Sequence, residues 1–138
     1  MSYIKYIKNK KKILAVVIKK QKKLKNKINF ITDNKKEMQL ALMDRPAKEK
    51  ILPHYHPKQK RLVRNTSEFL YVISGKVKIN FYQPKLKLKY ITSEILNSGD
   101  SLCFFDCGHS FEFIKKTKLI EVKQGPFINN KDKKKLKI

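Results

Sequence analysis

The chain has no tryptophan, three histidines, two cysteines and four glycines in 138 residues. So few glycines leave no glycine-rich phosphate loop, and the sequence has no Ser-His-Asp ordering, no CxxC pair and no internal repeat. Long apolar runs are missing too. The longest, Ile13 to Ile18, is far short of the roughly 20 residues of a membrane span and is flanked by lysines on both sides. It also lacks a small-residue cleavage site, so neither a spanning helix nor a leader is expected, and the expected location is the cytoplasm. Cys103 and Cys107, if on one strand, lie about 13 Å apart at roughly 3.3 Å per residue, too far for a disulfide. They read as free thiols suited to a reducing compartment.

Acidic residues are the next scarcity: 11 against 34 basic ones, for a net charge of +23. The excess is concentrated at the ends. Residues 1–27 hold eleven lysines and no acid, and residues 131–137 hold five lysines and one aspartate. The central chain keeps 18 basic against 10 acidic residues, a milder excess. Arginine occurs only at Arg45, Arg61 and Arg64, whereas base and phosphate readers favour its bidentate fork. Solvated lysines therefore account for the charge, and nucleic acid is not an expected partner.

What is present is β signal. Residues 1–12 are basic and weakly patterned, expected as a frayed terminus. Ile13 to Ile18 reads as a buried strand, with a helix from Tyr3 to Lys25 as the rival. Asn29 to Ile31 and Met38 to Met43 read as short strands, and Lys50 to His56 as extended chain between Pro53, Pro57 and earlier turns. Phe69 to Ile73 is a continuous apolar run expected to be buried on both faces. After Gly75, Val77, Ile79 and Phe81 alternate with Lys76, Lys78 and Asn80. Leu86 to Tyr90 alternates again, Asn97-Ser-Gly-Asp100 is a turn, and Leu102 to Phe105, Ser110 to Ile114 and Leu119 to Val122 complete the strands. From Asn129 the chain is polar, a disordered tail or short helix. Many short strands and no convincing amphipathic helix predict an all-β barrel or sandwich.

The histidines cluster in two segments. His54 and His56 stand at i, i+2 in Pro-His-Tyr-His, so on an extended chain both rings face one side and can converge on a metal. Glu68 follows in Glu-Phe-Leu-Tyr-Val-Ile-Ser-Gly75, and His109 lies in Gly-His-Ser-Phe-Glu. The bland alternatives are ordinary strand-end histidines and a structural carboxylate. Phe111 and Phe113 share the parity of His109 and are expected to wall a pocket, with Glu112 facing away. Tyr55 and Tyr71 point away from the ligand face, and Gln124 is a candidate rim contact. Arg61 and Arg64 suit bidentate contact with a carboxylate or phosphate, or are solvent-facing charges.

At these residues the chain resembles the cupin superfamily of small β-barrels. His54-x-His56, then Glu68, six residues and Gly75 stand for its first motif, and Gly99-Asp100 with His109 for its second. Eleven residues separate His56 from Glu68, longer than the family's usual gap, so Pro57 to Thr66 is expected as a hairpin extension. A slipped register there puts Lys60 or Arg61 near the site, where a cation attracts an anionic substrate. Pro53-His-x-His56, Arg61, Thr66-x-Glu68, Gly-His109 and Glu121-Val-Lys-Gln-Gly-Pro126 are similar to a group of small bacterial cupins often encoded near surface-polysaccharide genes.

The resemblance implies a double-stranded β-helix or jelly-roll barrel, with a basic segment at 1–12, the barrel at 13–128 and a lysine-rich tail at 129–138. It implies one divalent metal (Fe, Mn, Ni or Zn) on His54, His56 and His109, with Glu68, and a small sugar-like or carbonyl ligand met by Arg61, Phe111 and Phe113. An isomerase or epimerase role in surface-polysaccharide metabolism, a histidine general base in place of the metal, and a homodimer formed by strand exchange come from the resemblance alone. A non-catalytic binding or regulatory module is the other class, and a nucleic-acid or acidic-surface binder working through the lysine-rich ends is the third.

Overall fold

The computed structural model describes residues 3–21, 24, 26–84, 89–129 and 131–135. Every regular element among them is a β-strand: β1 (Ile4–Asn9), β2 (Lys12–Ile18), β3 (Ile28–Phe30), β4 (Ala41–Met43), β5 (Glu68–Gln83), β6 (Lys89–Asn97), β7 (Ser101–Phe104) and β8 (Gly108–Lys123). The chain divides into two units, residues 21–64 and the remainder.

The larger unit is a curled, half-barrel antiparallel sheet built on β5. β8 pairs with nearly the whole length of β5 along one edge. Along the other edge, β7 pairs with Glu68 to Tyr71 and β6 with Lys76 to Gln83. β2 joins β7, and β1 joins β2. This outer hairpin curls over the β5–β6 half. Ile7 shares a core cluster with Ala15, Val17, Leu70, Val72, Val77, Ile79, Phe81, Leu96, Leu102 and Phe104. Lys5 of β1 pairs with Glu94 of β6, and Gln83 Nε2 donates to Asn9 Oδ1 at 3.3 Å.

Several expectations change. Residues 4–9 form a strand rather than a frayed end, because Ile7 is buried and β1 zips onto β2. The apolar run of β2 is a strand with Leu14 to Ile18 all buried, which excludes the helix. Phe69 to Ile73 is not buried on both faces: Leu70 and Val72 point inward, while Tyr71 and Ile73 are exposed. β5 and β8 each run unbroken where the sequence suggests two strands. Pairing slips between Val72 and Val77, and both strands bend there instead of ending. Of Leu86 to Tyr90, residues 86–88 lie outside the described residues, and β6 begins at Lys89. The described part of the tail after Asn129 contains turns and no helix.

The smaller unit holds the β3–β4 hairpin, with Ile28 opposite Met43. Leu24 N–H and Asp44 Oδ2 are 3.1 Å apart, and Glu49 takes ion pairs from Lys27 and Arg45. Its 44–64 stretch is exposed and has no strand ladder, so the hairpin extension expected at Pro57 to Thr66 is not formed, and Lys50 to His56 pairs with no strand. Three X-Pro steps, at Pro46, Pro53 and Pro57, remove donors a ladder would need. No helix among the described residues is long and apolar enough to cross a membrane.

Candidate functional site

Period-two alternation places Glu68, Leu70 and Val72 on the concave face of β5. Cross-strand pairing extends that face: Glu68 stands opposite Phe104 in β7 and Lys123 in β8, and Phe81 stands opposite His109. β7 ends at Phe104, the chain turns through residues 105–107, and β8 returns with His109 stacked on Phe104 at 4.0 Å and 17°. That turn brings together two residues that are 41 positions apart. His109 Nε2 lies 3.3 Å from Glu68 Oε2, each side chain about one-fifth exposed (19%).

The hydrogen bonding of His109 is specific. Nδ1 lies 3.1 Å from Cys107 O, and a carbonyl only accepts, so Nδ1 carries a proton. Nε2 then faces a carboxylate, which when ionised also only accepts. Two chemical states satisfy both contacts: an imidazolium donating from both nitrogens, or a neutral ring whose Nε2 lone pair meets a cation shared with Glu68. The donor set therefore fits one half of a metal site. Glu68 is held below the usual carboxylate range, first by its hydrogen bond with His109, then by the charges of His109, Lys123 and Lys133, against an opposing effect of burial.

His54 and His56 lie in the smaller unit. Their rings are 5.4 Å apart at 81°, and His54 Nδ1 faces Leu52 O at 3.0 Å, the same i−2 carbonyl arrangement as in His109. His54 thus also keeps Nε2 for another partner. The structure joins Glu68 to His109 and His54 to His56, and the two pairs belong to separate units. Among the described residues no group of three or more His, Cys, Asp and Glu side chains is gathered to hold a metal.

Phe111 packs against the core next to His109, with ring centroids 5.5 Å apart, and stacks on Phe113 at 6.3 Å. Phe113 is 60% exposed, so the apolar wall is open at that end. Arg61 and Arg64 are exposed in the smaller unit, as is Tyr55, and Arg64 N–H donates to Glu37 Oε1 at 2.9 Å. Glu112 faces away from the concave side and receives Lys78 and Asn80. Gln124 N–H donates to Ser67 O at 2.9 Å, and its amide Nε2 to Gly125 O at 3.1 Å. Gly99-Asp100 has a structural task. Asp100 accepts from Lys20 N–H at 2.8 Å and Asn97 N–H at 2.9 Å, fixing the step from β6 to β7.

Both cysteines are free. Burial pushes Cys103 up to about 12 and Cys107 to about 11, so neither is a thiolate nucleophile at neutral pH. The residue missed by sequence reasoning is Lys123. It sits opposite Glu68 in register, so the cation beside Glu68 comes from β8. Its parity with His109, Phe111 and Phe113 was the available signal. No family model matches this chain, and neither the curated proteins nor the solved structures include a match.

Proposed function

We propose that this chain is a metal-binding protein of cupin type, holding one divalent ion through His109 and Glu68; His54 and His56 are assigned to the ligand set by the resemblance of the two histidine motifs. The observation that carries the reading is the His109 ring: Nδ1 is committed to Cys107 O, and Nε2 lies 3.3 Å from Glu68. That arrangement orients a neutral imidazole for coordination and places a hard oxygen donor beside it. The substrate class is a small sugar-like or carbonyl compound, supported by the apolar Phe111–Phe113 wall beside a few polar groups. A bound ion supplies Lewis acidity toward a carbonyl or hydroxyl oxygen. The chain's own part is to pack the compound's apolar face against Phe111 and to exclude water with Phe104. A role in surface-polysaccharide metabolism and assembly as a homodimer rest on the resemblance of the two histidine motifs.

Metal content of the purified chain, and the shift in its melting temperature on adding Fe, Mn, Ni or Zn, test the proposal. One equivalent of metal is expected, weakened by His109→Ala and by His54→Ala and lost as the histidines protonate in acid. No uptake of any of the four metals sinks it. A second reading is a non-catalytic binding module. The His109–Glu68 pair favours it, because an imidazolium and a carboxylate satisfy each other without an ion. Under that reading His109→Ala lowers stability and leaves metal content unchanged at zero.

A further inference from the structure

Lys123 and the segment after it form a contact that the His–Glu pair does not explain. The Lys123 side chain rises from the concave face opposite Glu68, and its Nζ lies 3.0 Å from Asp132 Oδ2. Asp132 is the one acid in a C-terminal stretch that otherwise carries lysines. It is only 9% exposed despite lying close to the chain end. The chain turns back to place it there: Asp132 N–H donates to Ile128 O at 3.0 Å, and Ile128 N–H donates to Asp132 Oδ1 at 3.3 Å. Phe127 lies under the same ammonium, 5.3 Å from ring centroid to Nζ. A solvated lysine needs none of this. An ammonium beside an apolar ring, meeting a carboxylate delivered on a short tether, is the geometry of a small-anion site with a resident carboxylate in it.

We infer that Lys123 is the anion-binding residue of the concave site, and that the contacts of Phe127 and Ile128 hold Asp132 on it as a tethered carboxylate which a small carboxylate ligand displaces. The inference deepens the proposed function by assigning an anionic group to its substrate. It stands on the Lys123–Asp132 geometry and requires no metal. Tethering makes Asp132 a high local concentration of a weak ligand, so the segment sets a threshold that a free anion must exceed. Glu68 next to Lys123 limits how much negative charge the site accepts, which favours a small mono- or dicarboxylate over a polyanion.

The test uses the full chain with a chelator present, so the outcome is independent of metal binding. Lysine acylation by a small active ester is followed by peptide mass spectrometry, with malonate as the probe anion. In Asp132→Asn, Lys123 modification is expected to rise on the order of tenfold, because the amine is no longer held in the Asp132 ion pair. Malonate is expected to bring that rate back down in the variant at lower concentration than in the wild type, with exposed Lys116 unaffected in either. Equal Lys123 rates in the wild type and the variant overturn the inference. So does a raised rate that malonate fails to lower, which leaves Asp132 as a structural pin only.

Discussion

His109 shows how much one ring can be constrained by two short-range facts. Its i−2 carbonyl takes the Nδ1 proton, and the stack on Phe104 of β7 sets the ring so that Nε2 meets Glu68 of β5. Glu68 then carries the titration. Its folded carboxyl is held below the ordinary value of 4.5, so its interactions stabilise the fold above about pH 4.5. That contribution is lost as pH falls through the lowered folded value. Glu68→Gln is expected to cost roughly 1 kcal/mol at neutral pH, since the pair is largely shielded from water. The same variant flattens the acid limb of a urea-stability profile below pH 4.5; an unchanged acid limb would show that Glu68 is not the titrating group.

The bend in the β5–β8 ribbon is made by one glycine. Gly75 has φ +98°, and a Cβ there would lie 2.3 Å from Lys116 O and 2.6 Å from the Thr117 Cα. Thr117 Oγ1 seals the bend by accepting from Lys76 N–H at 3.2 Å and donating to Lys115 O at 2.6 Å. Gly75→Ala meets both a disfavoured backbone and backbone atoms that cannot move aside. It is expected to cost at least about 2 kcal/mol in chemical unfolding. A loss under about 0.5 kcal/mol would mean that the bend relaxes freely. The motif glycine was legible, but its effect was not: a strand break was expected, and the ribbon bends without breaking. The β1–β2 hairpin was invisible for the opposite reason. Its turn uses Lys10 at φ 53° where glycine or asparagine would have signalled it.

The core of the larger unit and its open end differ in what they ask of a phenylalanine. Phe81 is fully buried and Phe113 is 60% exposed, although both belong to alternating apolar patterns. Phe81→Ala is expected to cost about 3–5 kcal/mol in urea unfolding, and Phe113→Ala less than about 1. Equal losses would contradict the open wall. The basic N-terminal region is likewise less free than its composition suggests. Lys5, Lys12 and Lys19 meet Glu94, Asp106 and Asp100, so three lysines of the run serve the fold's own acids. Removing residues 1–12 therefore takes out β1 and Ile7 as well as charge.

The strand character of this chain and the parity that puts His109, Phe111 and Phe113 on one face could be read from residue order, because alternation is a local property. What Glu68 touches could not. Its neighbours come from β7 and β8, 36 or more positions away, and their register depends on a bend at Gly75 whose size no local pattern encodes. Residue order likewise shows that the chain has three histidines, in two segments. Only tertiary pairing decided that one of them meets Glu68, that the other two lie in a separate unit, and that Lys123 stands opposite Glu68.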